Sequence, residues 1–457
     1  MTPIKYRENH LIHMIRGPFT ERSFPLLPEE IIRVPTAGLP GITCSTRAWL
    51  REVHGQLQTL LTEGPATLLT EDLVRANGEA ADVFAHFGIR PEQLPSLRHN
   101  WQGLAHTAQA SGANSEEEKP TPPWPGFKDI WIPIGDDMEL CGRIRYARRE
   151  GEVINTDCIV ILPGILGDNN VLRTRDLAEG LVASGLHAMA LELRGHGQTG
   201  RGRPDIHYNF GTLETSDLLL VSRWLESQPY IRRTGLVGFC WGANHALAAA
   251  WLDGCRRDHP SISPRLAPHV WRHCAESGPP AHHDGTTEAL RHWSAGILAF
   301  SPVLRFEELI DLLERRWSRF RHPVLAGLQT TILNRMKRRG YPEPSGSLMQ
   351  LIRAEFARSP LTYAEAIDDG LQMLRLLPHC GLPDHAKLQS ARVPVLIVHG
   401  ANDPMARSQD VADLIARTTN PMVAAMILPG GGHVGFAAYA KAYYYSLVIN
   451  FFAGAAN

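Results

Sequence analysis

The chemistry this chain can do is concentrated at three residues, Cys240, Asp403 and His433. Cys240 sits in T-G-L-V-G-F-C-W-G-A-N at 234–244. A short apolar run at 236–239 ends at the cysteine, and a Leu/Ala-rich helical pattern at 245–252 begins at once. Gly238 and Gly242 stand two positions to either side. A strand that turns into a helix at one residue forces that residue into a strained backbone, and side chains at ±2 would collide across the turn. Glycines remove the collision. The thiol is then left on a sharp point at a helix N-terminus, whose dipole favours a thiolate. Asp403 follows the apolar run 393–398 in H-G-A-N-D-P, and His433 follows the run 423–428 in P-G-G-G-H-V-G-F, so both stand in loops just beyond strand ends. A thiolate that attacks an acyl carbon, an imidazole that takes and returns a proton, and a carboxylate that fixes its tautomer together make acyl-transfer chemistry. The stretch L-P-G-I-L-G-D-N-N at 162–170 follows another apolar run. It offers the backbone N–H of Ile165, beside that of Trp241, as oxyanion donors, and Gly164 and Gly167 allow close approach.

Positioning these groups takes strands alternating with helices. Apolar runs at 158–162, 187–193, 235–239, 296–300, 393–398 and 423–428 read as strands buried on both faces, and 130–134 with 138–146 flank G-D-D as a hairpin. Helical patterns intervene at 171–184, 212–228, 240–253, 407–417 and 435–452. The expected fold class is α/β, a doubly wound, mostly parallel sheet. The alternation breaks after Asp253 and again between Pro302 and Arg392, where a long helical pattern reads as a cap. Upstream, 1–33 reads as an arm, and helices are expected at 46–61, after Thr70 and at 94–108. A Ser/Pro-rich linker follows at 111–125. The expected division is an N-terminal helical extension and linker, 1–125, and a catalytic domain, 126–457, with an insertion at 254–294 and a cap at 303–390. The extension carries no chemical motif, so it is expected to support the fold or an interface.

Composition narrows the class. At 457 residues, with a formal charge of −1 and 44% hydrophobic residues, the balance is that of an ordinary globular protein, and nothing in the charge calls for nucleic acid. The seven cysteines are scattered, with no C-x-x-C pair. They argue for a reducing compartment and against a disulfide framework or structural zinc. The N-terminus has no signal-like apolar stretch, and the uncharged runs 234–252 and 418–440 are broken by Gly, Asn and His. A cytoplasmic chain without a membrane span, a metal or a cofactor is the expectation.

The residues from about 127 to 452 resemble the YheT-type branch of the α/β-hydrolases. The resemblance is carried by L-R-G-H-G-Q-T at 193–199, Y-N-F-G-T-L-E-T-S-D-L at 208–218, G-A-N after the cysteine, and G-G-H-V-G-F at 431–436. The order Cys240, Asp403, His433 is the nucleophile–acid–base order of that superfamily. The resemblance implies an α/β-hydrolase fold with a helical cap and esterase-like or acyltransferase chemistry on a small acyl substrate, lipid-like ones included. Two positions depart from it: cysteine replaces the family's serine at 240, and Pro163-Gly164 replaces the usual His-Gly. The box G-F-C-W-G is similar to that of dienelactone hydrolases, which use cysteine.

Three further features invite other readings. Gly195, Gly197 and Gly200 match a dinucleotide fingerprint after a strand, but R-G-R-P follows where a helix is needed, so no cofactor is expected there. His273, Cys274, His282, His283 and Asp284 lack metal spacing and read as a surface loop. The basic stretch around Arg335, Arg338 and Arg339 in the cap reads as a solvated helix face or the rim of an anionic substrate site. The expected activity is a hydrolase for a carboxylic ester, thioester or lactone. The alternatives are an acyltransferase or synthase using the same acyl-cysteine, or a non-catalytic binding protein on this fold.

Overall fold

The architecture was obtained as a computed structural model. It describes residues 67–68, 103, 107 and 123–454, apart from 276–291, 315–351, 354, 357–359, 378–386 and single positions at 136, 166, 170, 202, 204–205, 421, 429 and 440. The arm, the expected linker up to residue 122, the three arginines of the expected cap and the helix expected at 46–61 lie outside the described residues, while Trp124 at the end of that linker is buried in the core.

In chain order the strands are β1 (Thr67–Leu68), β2 (Lys128–Pro133), β3 (Glu139–Arg145), β4 (Arg148–Arg149), β5 (Glu152–Val153), β6 (Thr156–Leu162), β7 (His187–Leu191), β8 (Ile231–Phe239), β9 (Gly296–Phe300), β10 (Val395–Gly400) and β11 (Val423–Leu428). Nine of them form one sheet, ordered β1-β11-β10-β9-β8-β6-β7-β3-β2. The β2–β3 and β3–β7 pairs are antiparallel; all others in the sheet are parallel. The main helices are α1 (Leu172–Ala183), α2 (Glu214–Glu226), α3 (Trp241–Gly254), α4 (Phe306–Glu314), α5 (Ala366–Leu374), α6 (Ser408–Ala416) and α7 (Lys441–Gly454). The pattern at 435–452 resolves into a single turn, Phe436–Tyr439, followed by α7.

The strand period of two divides the core. In β6, Cys158, Val160 and Leu162 enter one apolar cluster with α2 and α3, while Ile159 and Ile161 enter a second with α1 and α7. In β10, Val395 and Ile397 join the first, Leu396 and Val398 the second. Both faces of the sheet are therefore covered, which is what the unbroken apolar runs require. Each such side chain taken out of water contributes roughly 1.5–3 kcal/mol. Cys240 packs against both clusters, because it stands at the sheet edge where the two meet.

Two findings differ from the sequence reading and a third refines it. Thr67–Leu68, within the stretch expected to be helical or linking, adds a strand parallel to β11 at the sheet edge. His273 is not on a surface loop: it is buried on a helical turn, Arg272–Ala275, and its Nδ1 lies 3.1 Å from Ser216 Oγ of α2. A single helical turn, Gly197–Gly200, lies within the glycine fingerprint and ends with it, and the anion it faces comes from the chain itself. The buried Glu192 carboxylate accepts the N–H of Gln198 and, at 3.3 Å, that of Asn169. A Cβ on Gly197 would fall 2.1 Å from that carboxylate, so the nest is filled. Among the described residues no helix is long and apolar enough to cross a membrane.

Candidate active site

Cys240 is where β8 becomes α3. Its backbone is left-handed, at φ 55° and ψ −118°, and its N–H donates to Phe300 O of β9 at 2.9 Å. Strain of this kind, held by neighbours, is what exposes a side chain at a turn. Two more non-glycine residues with positive φ lie alongside, Ser301 at 48° and Val434 at 56°, and Val434 N–H donates to Ser301 Oγ at 3.3 Å. The strained positions thus gather where β8, β9 and the loop after β11 converge.

The two glycines are required for separate reasons. A Cβ on Gly238 would lie 2.2 Å from Gly242 O, which is the collision across the turn. A Cβ on Gly242 would instead lie 2.3 Å from Pro163 O and 2.8 Å from Leu162 O. The second glycine therefore admits the loop after β6 rather than the turn itself. Gly164, in that loop, sits so close that its Cβ would be 3.2 Å from Cβ of Cys240 and 3.7 Å from Sγ. This proximity aims the backbone N–H groups of Ile165 and Trp241 at the Cys240 sulfur.

His433 lies in the loop after β11, 4% exposed, and its Nδ1 is 2.8 Å from Asp403 Oδ2. Asp403 has no exposed side chain surface, and its Oδ1 accepts the N–H groups of Met405 (2.8 Å) and Ala406 (3.0 Å). With Nδ1 committed to Asp403, Nε2 is buried without a formed hydrogen bond, and the group it interacts with is the Cys240 thiol. The five residues singled out from the sequence, Cys240, Asp403, His433, Ile165 and Trp241, are therefore brought together.

The charges are set by this packing. Burial pushes the Cys240 thiol up, but the charge of the neighbouring His433, with the Trp241 and Ile165 amides, outweighs it and holds the pKa below the ordinary thiol value. Burial pushes His433 down, and the charges of Asp403 and Cys240 outweigh it, leaving the imidazole well above its usual value. Burial disfavours the Asp403 carboxylate, yet the charge and hydrogen bond of His433, with the Ala406 amide, hold its pKa below the usual value. The arrangement favours a thiolate beside an imidazolium, a pair that can serve as an activated nucleophile with its proton stored next to it.

Other residues at the site have weaker sequence signals or none. His399, at the end of β10, is fully buried with Nε2 3.0 Å from Ala406 O and 3.6 Å from Asp403 Oδ2. Burial lowers its pKa despite Asp403, so it stays neutral and buttresses the carboxylate. Asn402 Oδ1 accepts Gly432 N–H at 2.9 Å, tying the loop of the aspartate to the loop of the histidine. The H-G-A-N-D-P stretch contained both residues, but only their spatial neighbours give them a role. Thr107, far upstream, accepts the backbone N–H of His433 at 2.8 Å, and no local pattern pointed to it.

A strand–cysteine–helix elbow, a glycine-bearing loop packed on it after β6, and an acid and a histidine after the last two strands are the arrangement of an α/β-hydrolase. The chain belongs to that family: the sequence model described as "alpha/beta hydrolase fold" matches residues 157–437, more than half of the chain. No curated protein sequence matches it. Among solved structures, the esterase Pf2001 of Pyrococcus furiosus is 16% identical, covering 72% of this chain and 92% of its own at a TM-score of 0.41. The α/β-hydrolase GrgF from Penicillium sp. sh18 is also 16% identical, covering 71% and 97% at 0.43. The enol-lactonase of Burkholderia xenovorans LB400 is 15% identical, covering 71% and 100% at 0.38. Likeness at that level bears on neither substrate nor mechanism.

Proposed function

We propose that this chain is a cysteine-dependent hydrolase that cleaves a carboxylic ester, thioester or lactone through an acyl-enzyme, with Cys240, His433 and Asp403 as its catalytic triad. Within the family we assign it to the YheT-type branch, on the R-G-H-G, Y-N-F-G-T-L-E and G-G-H-V-G-F stretches. The single observation that carries the reading is the environment of Cys240. Its sulfur stands at a helix N-terminus facing two backbone N–H groups and a histidine whose other nitrogen is held by a buried carboxylate.

In the first half-reaction the Cys240 thiolate attacks the acyl carbon, forming a C–S bond. The carbonyl oxygen becomes an oxyanion and accepts hydrogen bonds from Ile165 and Trp241. Collapse breaks the bond to the leaving group, which takes its proton from the His433 imidazolium. In the second half, neutral His433 removes a proton from water, and the hydroxide attacks the thioester. Cys240 leaves as thiolate, and the pair is restored. Asp403 keeps Nδ1 protonated throughout, so Nε2 alone exchanges the proton.

The test is intact-mass measurement after incubation with a panel of acyl esters, thioesters and lactones, beside turnover of the same panel. The expected result is an adduct of one acyl mass on Cys240 with some panel member, and hydrolysis of it, both lost in Cys240→Ala. Equal hydrolysis by Cys240→Ala, or neither adduct nor turnover across the panel, would overturn the assignment.

A further inference from the structure

The loop that carries His433 is held from both sides. On one side Asn402, next to Asp403, accepts the N–H of Gly432. On the other, the N–H of His433 itself donates to Thr107 Oγ1 at 2.8 Å, across 326 residues of chain. Thr107 is 3% exposed, and its hydroxyl hydrogen is already donated to Gly103 O at 2.7 Å. That donation turns the oxygen lone pairs toward the loop, so the hydroxyl can act toward His433 only as an acceptor. A buried backbone N–H without an acceptor is costly, so Thr107 supplies what the loop lacks at the residue where orientation matters most.

Contact this close needs glycine on both surfaces. Gly432 has φ +52°, and a Cβ there would lie 2.2 Å from Gly103 O and 2.7 Å from Thr107 Oγ1. A Cβ on Gly103 would lie 1.8 Å from Asn402 O. Gly103, Thr107, Asn402 and Gly432 therefore interlock, with Gly103 and Thr107 seated against the loops that carry Asp403 and His433. The two ends of the imidazole's support are then distinct: Asp403 fixes the ring through Nδ1, and Thr107 fixes the backbone from which the ring projects.

We propose that Thr107 is a positioning residue for His433, so that the N-terminal segment completes the active site of the hydrolase domain. The inference rests on the Cys240–His433 pairing proposed above. It revises the expectation that the first 125 residues stay clear of the chemistry. A hydroxyl acceptor is what the position supplies, so serine should serve and a shape-matched residue without a hydroxyl should not.

The test uses the full-length chain and the rate at which iodoacetamide modifies Cys240, followed across the titration range of cysteine and histidine, with thermal midpoints measured alongside. In Thr107→Val the freed His433 N–H lets the loop shift, the histidine loses its alignment with the sulfur, and modification at neutral pH slows by about tenfold or more. Its inflection moves to higher pH. Thr107→Ser keeps the parent profile. Thr234→Val, which removes a buried hydroxyl bonded to Ser222 and Glu226 away from the site, lowers the midpoint and leaves the profile in place. Thr107→Ala, a second hydroxyl-free variant, is measured in parallel and carries the comparison alone if the valine variant does not fold. A parent-like profile in both hydroxyl-free variants, with His433→Ala shifted, overturns the role of Thr107 and leaves the pair intact. Equal losses in Thr107→Val and Thr107→Ser reduce the position to packing and also overturn it. A parent-like profile in His433→Ala sinks the pairing, and this inference with it.

Discussion

Asp403→Asn isolates the charge that organises the site. Asparagine has nearly the shape of aspartate, and its Oδ1 can keep the Met405 and Ala406 amides, so the loop after β10 should hold. What is lost is a negative charge 2.8 Å from Nδ1 of His433. At an effective dielectric of about 20, two unit charges at that distance attract by about 6 kcal/mol. Even half of that, after allowing for burial, is worth about two pKa units on the imidazole. Without it the imidazolium is no longer favoured, and burial at Cys240 is then opposed only by the Trp241 and Ile165 amides, so the thiol pKa rises. With its thiolate no longer favoured, Cys240 should be alkylated more slowly at neutral pH, by about tenfold or more. The amide also donates toward Nδ1 and favours the tautomer with Nε2 protonated, which cannot take a proton. Turnover should fall further than alkylation, by up to about 10⁴, the loss known for this substitution in serine proteases. The assay is the pH dependence of iodoacetamide labelling, with Cys240 read by peptide mass, beside turnover of any substrate the panel reveals. In the parent, labelling rises as pH passes the lowered Cys240 pKa, and turnover falls again where His433 deprotonates at high pH. If the Asp403→Asn labelling profile superimposes on the parent's, the charge does not set the pair and the electrostatic reasoning is wrong.

Three other outcomes are expected. Gly242→Ala places a methyl 2.3 Å from Pro163 O, a backbone atom that cannot rotate away. It should cost about 1–3 kcal/mol in urea unfolding and, by moving Ile165 and Trp241 apart, most of kcat with little change in KM; unchanged turnover would show that the loop tolerates the shift. Cys240→Ser, in a site arranged around a larger and more acidic atom, should retain far less turnover than the parent; a variant equal to the parent would argue against a thiolate–imidazolium pair. His245, buried in the first turns of α3 with Nε2 2.8 Å from Tyr208 OH, is lowered to about 3 by burial. Unfolded chains protonate a histidine near ~6.5, so the unfolded state binds the extra proton between the two values. Its contribution is complete above ~6.5 and lost as pH falls, by up to ~1.4 kcal/mol per unit. His245→Gln should flatten the acid limb of stability measured by urea midpoints, and an unchanged slope would contradict the buried neutral state.

Short-range sterics and hydrophobic period were sufficient, from sequence, for the sheet, its alternation with helices, and the elbow. The reason is that Gly238, Cys240 and Gly242 act within one turn, and the alternating burial of β6 and β10 needs only neighbours two residues apart. The same logic located Asp403 and His433, because each stands immediately after a strand and strand ends in a parallel sheet face one edge. Ile165 and Trp241 followed from where the β6 loop and α3 must begin.

What the sequence left undecided depended on contacts between distant segments. The role of Gly242 against Pro163, the neutral His399 behind Asp403, and the burial of His273 against α2 arise only when separate elements meet. Glu192 shows the reason most plainly. A glycine-rich turn advertises an anion site in any sequence, and only folding reveals that the chain's own carboxylate occupies it. Thr107 is the extreme case, since a single hydroxyl in an unremarkable helical stretch gains its meaning from a histidine amide 326 residues later. Local pattern determines which groups can do chemistry; tertiary packing decides which of them are held still, because hydrogen bonds and close contacts depend on distance in space and not along the chain.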